Sequence, residues 1–131
     1  MKIGVIVSKF NYEITEKMLL EAEAVLNEKG INYEIERVPG AFEIPLIAQR
    51  MAKTGEYDAL ITLGCVIKGE TDHYEMVCRA CVDGIREVML ENDIPIAFEV
   101  LMVNSIKLAE ARISRGKDAA EIAVWMAECQ I

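Results

Sequence analysis

The stretch ALITLGCVIKGETDH, residues 59–73, decides the fold class, because it begins with a strand that has no polar face. ALITLG (59–64) is apolar at nearly every position rather than at alternate positions, and strands of this kind are buried on both faces. Such strands lie inside parallel sheets whose two faces are covered by helices. The sequence therefore predicts an α/β protein built around a central parallel sheet.

The segments around this strand alternate between strand and helix patterns. Runs rich in β-formers predict the other strands, at 2–7, 32–38 and 94–103. Apolar residues spaced three and four apart predict the intervening helices, over 14–29, 44–55 and 74–89. A short helix through Arg112 and a last helix complete the chain. Right-handed crossovers fold this order into a flavodoxin-like three-layer sandwich with a central four-stranded parallel sheet.

Polar residues ahead of three helices predict how those helices begin. Asp72 and Glu75 have the spacing of a capping box before the third helix. Asn104 precedes the short fourth helix as a candidate cap, and Asp118 with Glu121 predicts the start of the last helix.

The last helix has apolar residues on nearly every side, in AAEIAVWMAECQI (119–131). Helices that are apolar all round are usually buried, and one subunit offers too little surface to cover every side. The pattern favours a subunit interface over a solvated face.

Composition limits the classes of function. The 131 residues fit one domain, 1–131, and 53% hydrophobic with 27% charged residues is a globular balance. A net charge of −8 makes nucleic acid and anionic membrane surfaces unfavourable partners. The longest apolar run is too short for a membrane span, and the N-terminus turns polar too early for a signal peptide. We therefore expect a cytoplasmic protein.

The four cysteines are expected to be reduced thiols, because a chain with this much core does not need disulfides. Cys78 and Cys81 have the spacing of half a zinc site, but the chain has no second pair. Both sulfurs fall on the apolar stripe of the third helix, which favours packing in the core over a metal site.

His73 is the only histidine of the chain, and it falls in the first turn of the third helix. Unpaired backbone N–H groups and the helix dipole favour an anion such as phosphate there. Gly69, Glu70 and Thr71 add a flexible turn and further donors, and imidazole exchanges protons near neutral pH. A proton shuttle beside a phosphate is one interpretation, and an ordinary polar residue at a helix start is the other.

Four motifs in order resemble the 6,7-dimethyl-8-ribityllumazine synthase family: SKFN (8–11), VPGAFEIP (38–45), GCVIKGETDH (64–73) and IAFEVL (96–101). The resemblance covers nearly the whole chain. It implies a flavodoxin-like fold and the condensation of 5-amino-6-(D-ribitylamino)uracil with 3,4-dihydroxy-2-butanone 4-phosphate in riboflavin biosynthesis. It also implies release of phosphate and water without metal or organic cofactor.

The resemblance implies a binding role for several motif residues. Phe10 would stack on the pyrimidine ring. The GAFE residues, Ala41, Phe42 and Glu43, would border the ribityl chain. Backbone groups of the GCVI residues would contact the edge of the pyrimidinedione: Cys65, Val66 and Ile67.

On the phosphate side, the resemblance implies that main-chain N–H groups of Glu70 and Thr71 and the guanidinium of Arg112 hold the phosphate. His73 would move the protons of catalysis. Phe98 and Arg112 would reach the site from a neighbouring subunit, so the expected functional unit is a homopentamer. A hollow shell of twelve pentamers is the larger alternative.

The segment after Arg112, ARISRGKDAAE (111–121), is shorter than is common in this family. Arg115 and Lys117 are both candidates for the family's later phosphate-side lysine. Two other functions therefore stay open: a shell or scaffold subunit without turnover, and a relative that binds a lumazine or flavin without making it.

Overall fold

The strand β3 (Ala59–Ile67) lies inside one parallel sheet in the computed structural model, which describes residues 1–129 and 131. Its neighbours are β1 (Lys2–Ser8) on one side and β4 (Ile96–Val103) on the other, and β2 (Asn32–Val38) pairs with β1. The strand order is β2-β1-β3-β4 and every pairing is parallel. The prediction of a buried central strand is confirmed, since every residue from Ala59 to Cys65 is buried.

Helices cover both faces of the sheet and complete the flavodoxin-like three-layer sandwich, as predicted. The helices are α1 (Tyr12–Glu28), α2 (Ile44–Thr54), α3 (His73–Asn92), α4 (Ile106–Glu110) and α5 (Arg115–Glu128), with a 3-10 turn at Ala41–Glu43. On one face α1 and α5 pack in a core with Val5, Ile61 and Leu101. On the other face α2 and α3 pack in a second core with Ile6 and Leu60.

Successive strand residues point to opposite faces, and this alternation feeds both cores. Ile3, Val5 and Val7 of β1 pack on the α1 and α5 side, whereas Ile6 packs on the α2 and α3 side. Because both faces of such a strand are buried, it needs apolar residues at nearly every position.

None of the three predicted side-chain caps forms, although Asp72 is the N-cap residue of α3. Asp72 already has a helical backbone, with φ −75° and ψ −3°, and its side chain caps nothing, so there is no capping box with Glu75. Ser105 rather than Asn104 caps α4, with its Oγ accepting from the N–H of Leu108 at 3.3 Å. Asp118 and Glu121 lie inside α5, because that helix begins one turn earlier than predicted.

Strand ends also differ from the predicted ones. β3 continues to Ile67, three residues past Gly64, because β4 pairs with it as far as Val103. β4 begins at Ile96 rather than Ile94, since Pro95 has no N–H to donate to a ladder. Among the described residues, no helix has both the length and the apolar character needed to cross a bilayer.

The helices α1 and α5 approach each other closely at Gly116. A Cβ atom at this position would lie 2.7 Å from the carbonyl carbon of Met18, and closer still to its oxygen. The buried side of α5 continues with small residues, Ala119, Ala120 and Ala123. The opposite side exposes Ile122, Trp125 and Met126, so α5 is apolar on both sides in the single chain.

Gly116→Ala is expected to destabilise the protein, although alanine favours helix by about 1 kcal/mol over glycine. The overlap with the Met18 backbone forces α1 and α5 apart, and overpacking of this kind costs roughly 1–3 kcal/mol. Urea unfolding at a fixed protomer concentration measures the free energy of unfolding of each variant. Lys17→Ala, at an exposed position next to Met18 in α1, is the matched control and should stay within about 0.5 kcal/mol. An unchanged midpoint for Gly116→Ala would contradict the close packing.

Candidate active site

A cavity of about 600 Å³ opens at the carboxyl edge of the sheet, between β1, β3, the 3-10 turn and α3. The structure brings together there the predicted residues of three motifs. SKFN contributes Phe10, GAFE contributes Ala41, Phe42 and Glu43, and the third motif contributes Cys65, Val66, Ile67 and His73. Ligand sites of doubly wound sheets lie at this edge, where loops from several strands meet.

The floor of the cavity is the protruding end of β3. β1 pairs with β3 only as far as Leu63, whereas β3 pairs with β4 through Ile67. Cys65, Val66 and Ile67 lie beyond Gly64, the predicted end of this strand, and are strand residues in the structure. Beyond Leu63, the backbone N–H and C=O groups of β3 that point toward β1 therefore have no partner in β1.

The 3-10 turn holds Glu43 close to the backbone of the same loop. The N–H of Gly40 donates to Oε1 of Glu43 at 3.0 Å, and the N–H of Glu43 donates to the carbonyl of Gly40 at 3.2 Å. A Cβ atom at Gly40 would lie 2.9 Å from Cδ2 of Phe10. Glycine at this position thus allows the aromatic ring to rest against the turn.

Two aromatic rings at the cavity mouth are uncovered in the single chain. The exposed fraction is 70% for Phe10 and 62% for Phe42. Exposed rings beside a cavity can stack on a flat ligand, or another subunit can cover them.

His73 is the first residue of α3, as predicted, and it lines the cavity. The backbone N–H of His73 donates to Oγ1 of Thr71 at 3.3 Å. Thr71 and Glu70 are exposed in the loop just before the helix and do not line the cavity. This loop lies at the positive end of a 20-residue helix, where N–H groups of the first turn that lack an intrahelical acceptor suit an anion.

Phe98 and Arg112 do not line the cavity of the single chain. Phe98 lies in β4 opposite Thr62 and is half-buried against the core on the α2 and α3 face. Arg112 is exposed in the turn between α4 and α5, where its Nη1 donates to the carbonyl of Leu108 at 3.0 Å.

The neighbouring cations are paired with carboxylates. Nε of Arg115 lies 3.8 Å from Oε1 of Glu99, and Nζ of Lys117 lies 4.0 Å from Oε1 of Glu121. Within the part of the chain that the structure describes, Arg112 has no carboxylate oxygen within 4.0 Å. Arg112, the cation expected to bind the phosphate, therefore has no such carboxylate neighbour, whereas Arg115 and Lys117, the two candidates for the later phosphate-side lysine, each have one.

The cysteines are free thiols, and the predicted burial of Cys78 and Cys81 in α3 is confirmed. Burial raises the pKa of the Cys65 thiol to about 11 and that of Cys81 to about 12. A thiol of this kind stays protonated at neutral pH and is a poor nucleophile. No group of three or more metal-ligating side chains occurs among the described residues.

Sequence reasoning missed one wall of the cavity, formed by Met76, Val77 and Ala80 of α3. These residues follow His73 at intervals of three, four and seven, so they share its helix face. The signal was therefore present in the spacing. Asn11 and Gly40 also line the cavity, and both lie within the quoted motifs without having been assigned a role.

A doubly wound parallel sheet with a cavity of this shape at its carboxyl edge defines a flavodoxin-like α/β protein with a small-molecule site. The family model described as 6,7-dimethyl-8-ribityllumazine synthase matches residues 1–130 of the chain. The chain therefore belongs to the lumazine synthase family, a family of transferase-type enzymes of riboflavin synthesis.

Alkylation with iodoacetamide at pH 8 is expected to spare Cys65 and Cys81 in the folded protein. Their thiols are buried and their pKa values of about 11 and 12 leave little thiolate. Peptide mass spectrometry locates the adducts, with exposed Cys129 as the internal control and the protein in urea as the fully reactive reference. Rapid labelling of Cys65 in the folded protein would contradict this assignment.

Proposed function

We propose that the protein is a 6,7-dimethyl-8-ribityllumazine synthase, which condenses 5-amino-6-(D-ribitylamino)uracil with 3,4-dihydroxy-2-butanone 4-phosphate and releases phosphate and water. The observation that carries the proposal is the cavity that joins residues of three separate motifs in a member of this family. The flat base, the polyol and the phosphate each find a matching surface in or beside it.

The pyrimidine substrate is assigned to the floor and mouth of the cavity. The Phe10 ring stacks on the base, and backbone groups at the β1-facing edge of the Cys65, Val66 and Ile67 segment bond to its carbonyl and imide groups. Ala41, Phe42 and Glu43 border the ribityl chain. Because the bond from Gly40 N–H fixes the Glu43 carboxylate, its remaining lone pairs can accept hydroxyl donors in a set direction.

The phosphorylated substrate is assigned to the start of α3. Main-chain N–H groups near Glu70 and Thr71 and the helix dipole bind the phosphate, and Arg112 adds a forked countercharge. His73 moves protons as the amine condenses with the ketone and loses water, and again as the phosphate leaves. The buried Cys65 thiol, with a pKa of about 11, takes no part as a nucleophile.

The site is assigned to the boundary between subunits of a homopentamer. The resemblance to the family assigns Phe98 and Arg112 to the cavity of the next subunit, and their position outside the cavity of their own chain is consistent with that assignment. The exposed side of α5 with Ile122, Trp125 and Met126 supplies apolar surface for assembly. A shell of twelve pentamers is the larger assembly to test, and native mass measurement separates the two. The proposed location is the cytoplasm.

His73→Ala is expected to lower kcat by roughly 10²- to 10⁴-fold, because it removes a general acid–base group. The measurement follows formation of the lumazine by absorbance with both substrates present. Glu75→Gln, an exposed change in the same helical turn, is the matched control and should keep the parent rate.

Assembly mass should be the same for both variants and the parent. Parent protein that binds a flavin but forms no product would be a binding protein instead. Parent protein that assembles but does neither would be a scaffold.

Arg112→Ala is expected to raise KM for the phosphorylated substrate roughly 10- to 100-fold. A change of this size corresponds to the free energy lost with charge-assisted hydrogen bonds. KM for the pyrimidine substrate should change little, since Arg112 is assigned to the phosphate alone. Arg115→Ala and Lys117→Ala are the comparators, with smaller effects expected because both cations are already paired. A larger effect at either one would reassign the phosphate-binding cation.

Refolding a 1:1 mixture of the His73→Ala and Arg112→Ala chains tests whether the site is shared. If each site takes His73 from one subunit and Arg112 from the next, about a quarter of the sites in random pentamers have both residues. Activity should therefore return well above that of either variant refolded alone. If the mixture recovers no activity although the parent protein refolds to full activity, then His73 and Arg112 of one chain belong to the same site.

A further inference from the structure

Asn11 departs from the usual behaviour of an asparagine at the start of a helix. It is the N-cap of α1, where asparagine normally has an extended backbone and a side chain that caps the first turn. Here the backbone is left-handed, with φ 57° and ψ 43°, and the side chain makes no capping bond. Asp93, the other non-glycine residue with positive φ in the described chain, ends a helix, where this conformation is ordinary.

The side chain of Asn11 crosses to β3 instead. Its Nδ2 donates to the carbonyl oxygen of Cys65 at 2.9 Å, which joins residues 54 positions apart. This carbonyl lies beyond Leu63, the last β3 residue that β1 pairs with. The Asn11 amide thus takes the place of a strand partner at the first position of the unpaired backbone edge.

The loop that carries Phe10 is held from the other side by β2. The N–H of Lys9 donates to the carbonyl of Val38 at 2.8 Å, and that of Phe10 donates to the carbonyl of Pro39 at 3.0 Å. The Phe10 ring itself is 70% exposed, so its contact with the turn at Gly40 leaves most of the ring uncovered. Its position relative to β3 depends on the backbone, and the bond from Asn11 is the tie between that backbone and β3.

We propose that Asn11 is a positioning residue for the pyrimidine substrate: its bond to Cys65 sets the slot between the Phe10 ring and the backbone edge of β3. The proposal rests on the function proposed above and adds a determinant of selectivity between the two substrates. A flat ring must stack and bond along its edge at the same time, so a loosened slot weakens its binding. The phosphorylated substrate, assigned to the start of α3, does not depend on the slot.

Asn11→Gly and Asn11→Asp test the proposal, because both residues tolerate the left-handed backbone and neither can donate to the Cys65 carbonyl. Each variant should raise KM for the pyrimidine substrate about tenfold, the size of one lost hydrogen bond. KM for the phosphorylated substrate should stay within about twofold. Asp93→Gly, at the remote left-handed position, is the matched control and should leave both KM values unchanged.

Amide hydrogen exchange gives a second measurement that needs no turnover. Peptides covering 64–67 should exchange faster in Asn11→Gly than in the parent, because the tie to β3 is lost. Equal rises in both KM values, or unchanged KM values at any exchange rate, would overturn the positioning role. If the parent protein forms no product, the proposed function is wrong. The exchange rates alone then test whether the bond from Asn11 to the Cys65 carbonyl holds the loop against β3.

Discussion

The unequal pairing of β3 with its two neighbours is the constraint on which the site depends. β4 accompanies β3 to Ile67, but β1 leaves it after Leu63. Backbone N–H and C=O groups at a partly buried edge must find partners or cost free energy. A strand that outlasts its neighbour therefore presents an ordered row of donors and acceptors, and this explains how the apolar stretch GCVI can form a polar binding surface.

The helix α3 serves the site in two ways that follow from one geometry. It begins at the cavity, so the N–H groups of its first turn and the positive end of its dipole face the loop that precedes it. Its first two turns then present His73, Met76, Val77 and Ala80 on one face, which becomes a cavity wall. A single element thus joins a helix N-terminus, the end that favours an anion, to an apolar surface, and His73 lies where the two meet.

The single chain leaves apolar surface uncovered at two places, the rings of Phe10 and Phe42 at the cavity mouth and the outer side of α5 around Trp125. Burial of such surface is the main source of free energy for binding and association. Arg112, in turn, lies outside its own cavity without a carboxylate partner in the described chain. Both observations fit the proposal that assembly, rather than folding alone, completes the site.

The sequence by itself determined the layers, the strand and helix order, and the segments that meet at the site. Hydrophobic periodicity is local, and ALITLG, without a polar face, is typical of a central parallel strand. The tertiary structure decided the rest. The end of β3 depends on its pairing with β4, the start of α5 lies a turn ahead of Asp118, and the amide of Asn11 bonds a strand 54 residues away instead of capping its helix. These features arise from contacts between distant segments, which no local pattern of residue types encodes.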